Sequence, residues 1–134
     1  MSPHRKEHSD LQGDVLTLLV TTAAPADEGR ARPEYPVATS DGIKVPDVVW
    51  ISAERDADAP DEAEASPVMP ELCVEVLSTS NTEAEMDRKR HLFFERGAEE
   101  VWVVEADGRV RFFGPDGERE RSTRAPDFPT RVER

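Results

Sequence analysis

Two carboxylates attract attention because each accompanies a strongly apolar run of the kind that forms strands. Asp47 follows Pro46 at the start of Val48–Ile51, and Glu75 lies inside a second run, Leu72–Leu77. An ionised carboxylate on an apolar face is costly to remove from water unless another group compensates its charge. A salt bridge and a divalent cation both provide this compensation, and carboxylate oxygens are natural ligands of Mg²⁺. The residue types therefore leave a structural ion pair and a metal site open.

Glu75 is the stronger of the two indications. Alternation along a strand places it on the face that also carries Cys73 and Leu77, where an unpaired charge is expensive. Asp47, taken alone, is more commonly a turn or strand-cap residue, because Asp beside Pro often bonds its own backbone. Asp47 therefore gains a functional meaning only together with a partner.

A third candidate, Lys89, lies on the apolar face of a predicted helix, Thr82–Arg96. At about 100° per residue it falls inside the arc of Met86, Leu92 and Phe93. A lysine can occupy such a position by extending its stem along hydrophobic neighbours. A crossover helix also lies over the strand that it follows, so Lys89 can point back at Glu75. The sequence thus predicts a convergence of aspartate, glutamate and lysine.

The elements that must position these residues begin with a helix. Apolar residues recur at helical spacing from Leu11 to Leu19, and Ser9 with Gln12 can form the capping box that starts this helix. The following stretch, Thr22–Pro36, has no apolar period, so we expect most of it to be loop.

The remaining elements predict a mixed sheet. Strands are expected near Tyr35–Thr39 and at Val48–Ile51, Leu72–Leu77, Glu100–Glu105 and Arg109–Phe113. Hairpin-type turns are expected at Ser40–Gly42, Asp107–Gly108 and Pro115–Gly117. Between the second and third of the buried strands, a helix begins at Thr82, where Glu85 completes a capping box, and ends at Gly97. This helix predicts a crossover unit, and the fold class is α/β or α+β.

Length and charge limit the classes of protein. The 134 residues suit one domain. With 17 Lys and Arg against 29 Asp and Glu, the formal net charge is −12, which opposes general attraction to a phosphate backbone. Nucleic acid would require a local basic patch or a bound cation. The acidic segment Ser52–Pro70 lacks a hydrophobic period and is expected to be a mobile loop.

A single cysteine, Cys73, excludes an intramolecular disulfide and a Cys-rich zinc site, and a reducing cytoplasm fits it best. No stretch approaches the roughly 18 apolar residues of a membrane span. Weaker candidates are His4 and His8, whose spacing could bind a metal on a helix, although a frayed terminus is the commoner case. The basic trio Arg88–Arg90 could touch a phosphate or simply decorate a helix.

Four stretches together resemble a known family. They are Val45–Val49, Pro70–Ser78, Asp87–Lys89 and Gly97–Val104. These residues are similar to the Uma-two family of putative restriction endonucleases, most strongly from Ile43 to Phe113. The resemblance implies a restriction-endonuclease-like fold of the PD-(D/E)xK superfamily, a mixed sheet flanked by helices. It also implies an acidic pair that holds Mg²⁺ or Mn²⁺ for hydrolysis of DNA phosphodiester bonds.

Carried over by residue, Asp47 resembles the Asp of the PD half-motif and Glu75 the acidic residue of the other half. Leu77 stands where the superfamily has its lysine, and the family resemblance assigns that role to Lys89 on the helix. The metal ligands would then be Asp47 and Glu75 with the carbonyl of Val76. The reaction needs positive charge near the scissile phosphate, whichever element delivers it.

Several expectations bear on activity and assembly. Family members usually carry a further helix and hairpin before the segment that Met1–Pro3 and His8–Leu11 resemble, so this chain is expected to be shortened at its start. The alternative to a nuclease is a non-catalytic binding or assembly module with the same fold. A homodimer is expected from the aromatic content of so small a sheet, contributed by Trp50, Trp102, Phe112 and Phe113.

Overall fold

The computed structural model describes residues 3–23 and 28–133, with side chains from residue 6 onward. The predictions for Met1–Ser2 and for the side chain of His4 lie outside these residues. The helices are α1 (Pro3–Thr22), α2 (Ala53–Asp58) and α3 (Glu83–Glu95). The strands are β1 (Arg30–Pro33), β2 (Val37–Thr39), β3 (Gly42–Lys44), β4 (Val48–Ile51), β5 (Leu72–Val76), β6 (Glu100–Val104), β7 (Val110–Gly114) and β8 (Gly117–Arg119).

The main sheet has six strands in the order β1-β4-β5-β6-β7-β8, and β2 with β3 forms a separate hairpin. Strands β5 and β6 are parallel, with Leu72 opposite Glu100 and Val76 opposite Val104. The other neighbours in the main sheet are antiparallel. Because α3 connects the parallel pair, the predicted crossover unit in a mixed sheet is confirmed.

Helices cover both faces of the sheet. On one face, Leu11, Val15 and Leu19 of α1 pack against the even-numbered residues of β4 and β5. On the other face, Phe93 of α3 packs with Val49 and Cys73. The residues of β4 and β5 are consequently buried throughout, which explains their continuous apolar sequence.

Near the start of the chain, one local prediction is wrong and one is incomplete. Helix α1 begins at Pro3, so Ser9 lies inside it and does not cap it. The expected loop Thr22–Pro36 contains strand β1, which pairs antiparallel with β4. An Arg-, Ala- and Pro-containing strand without apolar alternation is defined by its partner strand, and local sequence patterns do not detect such pairing.

The acidic segment Ser52–Pro70 is partly regular. Helix α2 occupies its first part, and the Ser52 side chain caps it by accepting from the N–H of Arg55. The prediction of an irregular loop is therefore wrong for Ala53–Asp58, because a local cap stabilises a short helix that has no hydrophobic face. Further along, Ser66 forms a parallel bridge with Val37. Mobility of the remaining residues stays a prediction.

The aromatic residues expected to leave an uncovered patch are buried inside the chain. Trp50, Trp102, Phe112 and Phe113 are each at most 7% exposed. The aromatic patch expected to drive a homodimer is therefore wrong: Trp50, Trp102 and Phe112 lie in the core cluster with α1 and Phe128, and the guanidinium of Arg90 lies over the ring of Phe113. None of the helices in the described ranges has both the length and the apolar character required to cross a bilayer.

The cap of α3 provides a test of local stability. As predicted from sequence, Thr82 is the N-cap and its Oγ1 accepts from the N–H of Glu85 at 3.1 Å. Replacing Thr82 by Ala should lower the free energy of unfolding by about 1 kcal/mol, whereas replacing it by Ser should retain most of the stabilisation that the cap provides. Urea unfolding of both variants checks this, and equal losses for Ala and Ser would contradict the capping role.

Candidate active site

Asp47 lies one residue before β4 and links three segments of the chain. Its Oδ2 accepts from the backbone N–H of Val76, at the end of β5, at 2.7 Å. Its carbonyl oxygen accepts from the N–H of Glu34, just after β1, at 2.9 Å. The interpretation of Asp47 as a local turn residue is therefore wrong, because its carboxylate bonds to a distant strand.

Helix α1 contributes two side chains to the surroundings of Asp47. Gln12 Nε2 donates to the Asp47 carbonyl at 2.8 Å, and His8 Nε2 lies 3.4 Å from Oδ2. His8 and Gln12 are four residues apart, a spacing that places them on one face of a helix. His8 was expected to belong to a frayed terminus. The four-residue spacing between His8 and Gln12 is the sequence signal that could have indicated that His8 belongs to the helix face beside Asp47.

Glu75 is the most deeply buried acid of the site. Its side chain is 6% exposed, and Oε2 lies 3.5 Å from Nζ of Lys89. Within the described part of the chain, Oε1 is buried and has no hydrogen-bond partner. A buried polar atom without a partner is uncommon in a folded protein and calls for an explanation.

Lys89 reaches Glu75 from α3, as the crossover geometry predicted. Its side chain is 30% exposed, so the ammonium group contacts both the buried carboxylate and solvent. The stem lies on the helix face that carries the buried residues Met86, Leu92 and Phe93. The three residues predicted to converge are thus brought to one end of β5.

Burial dominates the electrostatics of the two carboxylates. Removal from water raises the pKa of Glu75 from 4.5 to about 7, although the nearby Lys89 ammonium opposes this shift. The Asp47 charge raises the pKa of Glu75 further. Burial also raises the pKa of Asp47, against the opposing effects of the Val76 N–H and His8. The site is therefore short of positive charge.

These features fit a divalent cation. Each carboxylate uses one oxygen for a protein contact, and Glu75 retains a buried oxygen that has no partner among the described side chains. No group of three or more His, Cys, Asp or Glu residues suited to a metal ion occurs among the described residues. Mg²⁺ is often held by only one or two carboxylates, with waters and substrate phosphates completing its shell. The carbonyl of Val76, next to Glu75, is the predicted main-chain ligand.

The two arginines of the basic trio Arg88–Arg90 lie in different surroundings. Arg88 is 4.0 Å from Asp41, on the β2–β3 turn, and Lys44 is 3.6 Å from the same carboxylate. The guanidinium of Arg90 instead lies over the ring of Phe113, at 4.0 Å from its centroid. The trio Arg88–Arg90 therefore does not form one phosphate-binding surface.

The fold of this chain resembles that of a solved structure. A crystal structure described as a "putative nuclease belonging to DUF820" from Anabaena variabilis ATCC 29413 superposes with a TM-score of 0.70 at 19% identity. The superposition covers 84% of this chain and 64% of that one. A comparison with curated protein sequences finds no match.

The family assignment follows from the sequence itself. The model of the Uma2 family, described as "Putative restriction endonuclease", matches residues 1–132. The chain therefore belongs to the Uma2 family, and the resemblance inferred from its motifs is confirmed.

The raised pKa of Glu75 predicts a pH dependence of stability. Between about pH 4.5 and 7 the folded protein binds more protons than the unfolded chain, so its stability should fall as the pH rises through this window. Glu75→Gln keeps the size but stays neutral. Relative to that variant, the wild type should lose roughly 2–3 kcal/mol between pH 4.5 and 8. Urea unfolding across this range measures the difference, and parallel curves would contradict it.

Proposed function

We propose that the protein is a Mg²⁺- or Mn²⁺-dependent endonuclease that hydrolyses phosphodiester bonds in DNA. The observation that carries this proposal is the buried Oε1 of Glu75, which has no hydrogen-bond partner among residues 6–23 and 28–133. A bound cation would supply the missing partner and neutralise the two carboxylates. Membership of the Uma2 family supports the same reaction class.

Asp47 and Glu75, with the carbonyl of Val76, are the residues that would hold the cation. When bound, such an ion polarises a phosphoryl oxygen and lowers the pKa of an attacking water. Asp47 is fixed from Val76 and Glu34, and its position does not depend on a flexible loop. Glu75 is held inside β5, between β4 and β6. Because the sheet already holds both carboxylates, they need little rearrangement during the reaction.

Lys89 would stabilise the charge that develops on the phosphate and help to place the water. Its ammonium is already adjacent to Glu75 and partly exposed, so a substrate could approach it from solvent. The superfamily places its lysine two residues after the acid, where this chain has Leu77. In our proposal, the helix supplies the positive charge that the strand lacks.

Electrostatics argue for weak substrate binding. The formal net charge is −12, so long-range forces oppose an approaching polyanion. Lys44 and Arg88 both lie within 4.0 Å of the Asp41 carboxylate, which neutralises part of their charge, and Arg88 directly precedes Lys89 on α3. We therefore expect strong dependence on divalent cations and on ionic strength.

A non-catalytic binding or assembly module is the second candidate. The Glu75–Lys89 contact at 3.5 Å favours it, because a buried ion pair can serve the fold alone. This chain corresponds to 64% of the length of the solved nuclease-like structure. The activity of a complete relative is consequently a proposal for this chain. Cytoplasmic localisation and a homodimer are further proposals, the latter open to sedimentation analysis.

Two substitutions separate the candidates. Glu75→Ala should abolish specific Mn²⁺ binding while costing little stability, because it removes a charge that is expensive to bury. Lys89→Met keeps an apolar stem, so it should preserve Mn²⁺ binding and reduce cleavage of DNA at least tenfold. Isothermal titration with Mn²⁺ and cleavage of single-stranded and duplex DNA measure these effects.

The control is Glu95→Ala, an exposed carboxylate on α3 that should change neither property. If Glu75 and Lys89 form only a structural pair, removal of either should destabilise the fold by roughly 3–5 kcal/mol regardless of metal. Large, metal-independent losses in both variants, without Mn²⁺ binding by the wild type, would falsify the nuclease proposal.

A further inference from the structure

The carboxylate of Asp47 has a second neighbour besides the strand amide that it accepts from. Oδ2 accepts from Val76 N–H at 2.7 Å, and the same oxygen lies 3.4 Å from Nε2 of His8. Oδ1 has no such contact within the described ranges. The protein thus contacts one carboxylate oxygen from two directions and leaves the other available to a ligand.

The approach of His8 depends on α1 being fixed relative to β4. Gln12, one turn further along α1, donates to the main-chain carbonyl of Asp47 at 2.8 Å. Leu11 and Val15 of the same helix are fully or almost fully buried against the sheet. Helix α1 therefore makes two contacts with Asp47: Gln12 hydrogen-bonds its backbone carbonyl, and His8 lies beside its carboxylate.

We infer that His8 is a positioning residue for Asp47: its ring N–H holds Oδ2 and thereby directs Oδ1 toward the cation. This inference rests on the proposed function for the identity of the ligand. Donors on the oxygen that does not bind the ion orient a carboxylate ligand, and their loss commonly weakens metal binding by about 10- to 100-fold. His8 touches neither substrate nor cation in this role.

Glutamine provides the matched variant. Its amide nitrogen reaches about as far from the backbone as Nε2 of histidine and carries N–H donors. His8→Ala should raise the Mn²⁺ dissociation constant about tenfold, and His8→Gln should restore it to within about threefold of the wild type. Ser9→Ala, an exposed change on the same helix, is the control and should leave the constant unchanged.

A measurement without metal tests the contact itself. Hydrogen exchange of the Val76 amide reports how firmly Asp47 accepts from it, because this amide donates to Oδ2. Exchange should be several-fold faster in His8→Ala than in the wild type and recover in His8→Gln. Thermal melts of the same proteins show whether a variant is merely less stable.

The outcomes separate this inference from the proposed function. If the wild type binds Mn²⁺ and His8→Ala binds it equally well, the positioning role is wrong and the nuclease proposal stands. If His8→Ala only melts earlier, with unchanged Mn²⁺ affinity and Val76 exchange, His8 is structural and the inference is overturned. If Val76 exchange shifts as expected but the wild type binds no Mn²⁺, the contact with Asp47 stands, whereas its role toward a cation and the proposed function both fail.

Discussion

The burial of the Glu75 carboxylate is the constraint on which the site depends. A charge on a central strand, under a helix, is stable only if something positive approaches it. Lys89 meets this need in part, but in the part of the chain that the structure describes the Glu75 Oε1 has no hydrogen-bond partner, and burial raises the pKa of Glu75 to about 7. The negative charge at the end of β5 is therefore only partly balanced by Lys89. A divalent cation is the simplest group that would complete this balance.

The crossover unit β5-α3-β6 creates this arrangement. Parallel strands require a connection that returns across the sheet, and here the connection is the helix that carries Lys89. Because the helix packs over the strand that it follows, its buried face is directed at β5. The helix thus brings the Lys89 ammonium to within 3.5 Å of the Glu75 carboxylate. In the proposed nuclease, this helical lysine would serve where the superfamily has a lysine at the position of Leu77.

Asp47 depends on a different set of contacts, all of them between distant segments. Its carbonyl oxygen accepts from the N–H of Glu34 and from the side-chain amide of Gln12. Its carboxylate accepts from the N–H of Val76 and lies 3.4 Å from the His8 ring. The start of β4, the ends of β1 and β5, and helix α1 meet at this one residue. Such a junction makes the position of the carboxylate a property of the whole sheet, and it links the stability of α1 to the geometry of the candidate metal site.

The sequence alone determined the buried strands, the capped helix α3 and the crossover, because these depend on local periodicity and short-range hydrogen bonds. It also indicated Asp47, Glu75 and Lys89, since charges beside apolar runs demand a partner. Strand β1, the true start of α1 and the approach of His8 to Asp47 were decided only by tertiary structure. Each results from pairing between residues far apart in the chain, and no local pattern specifies which distant segments will meet.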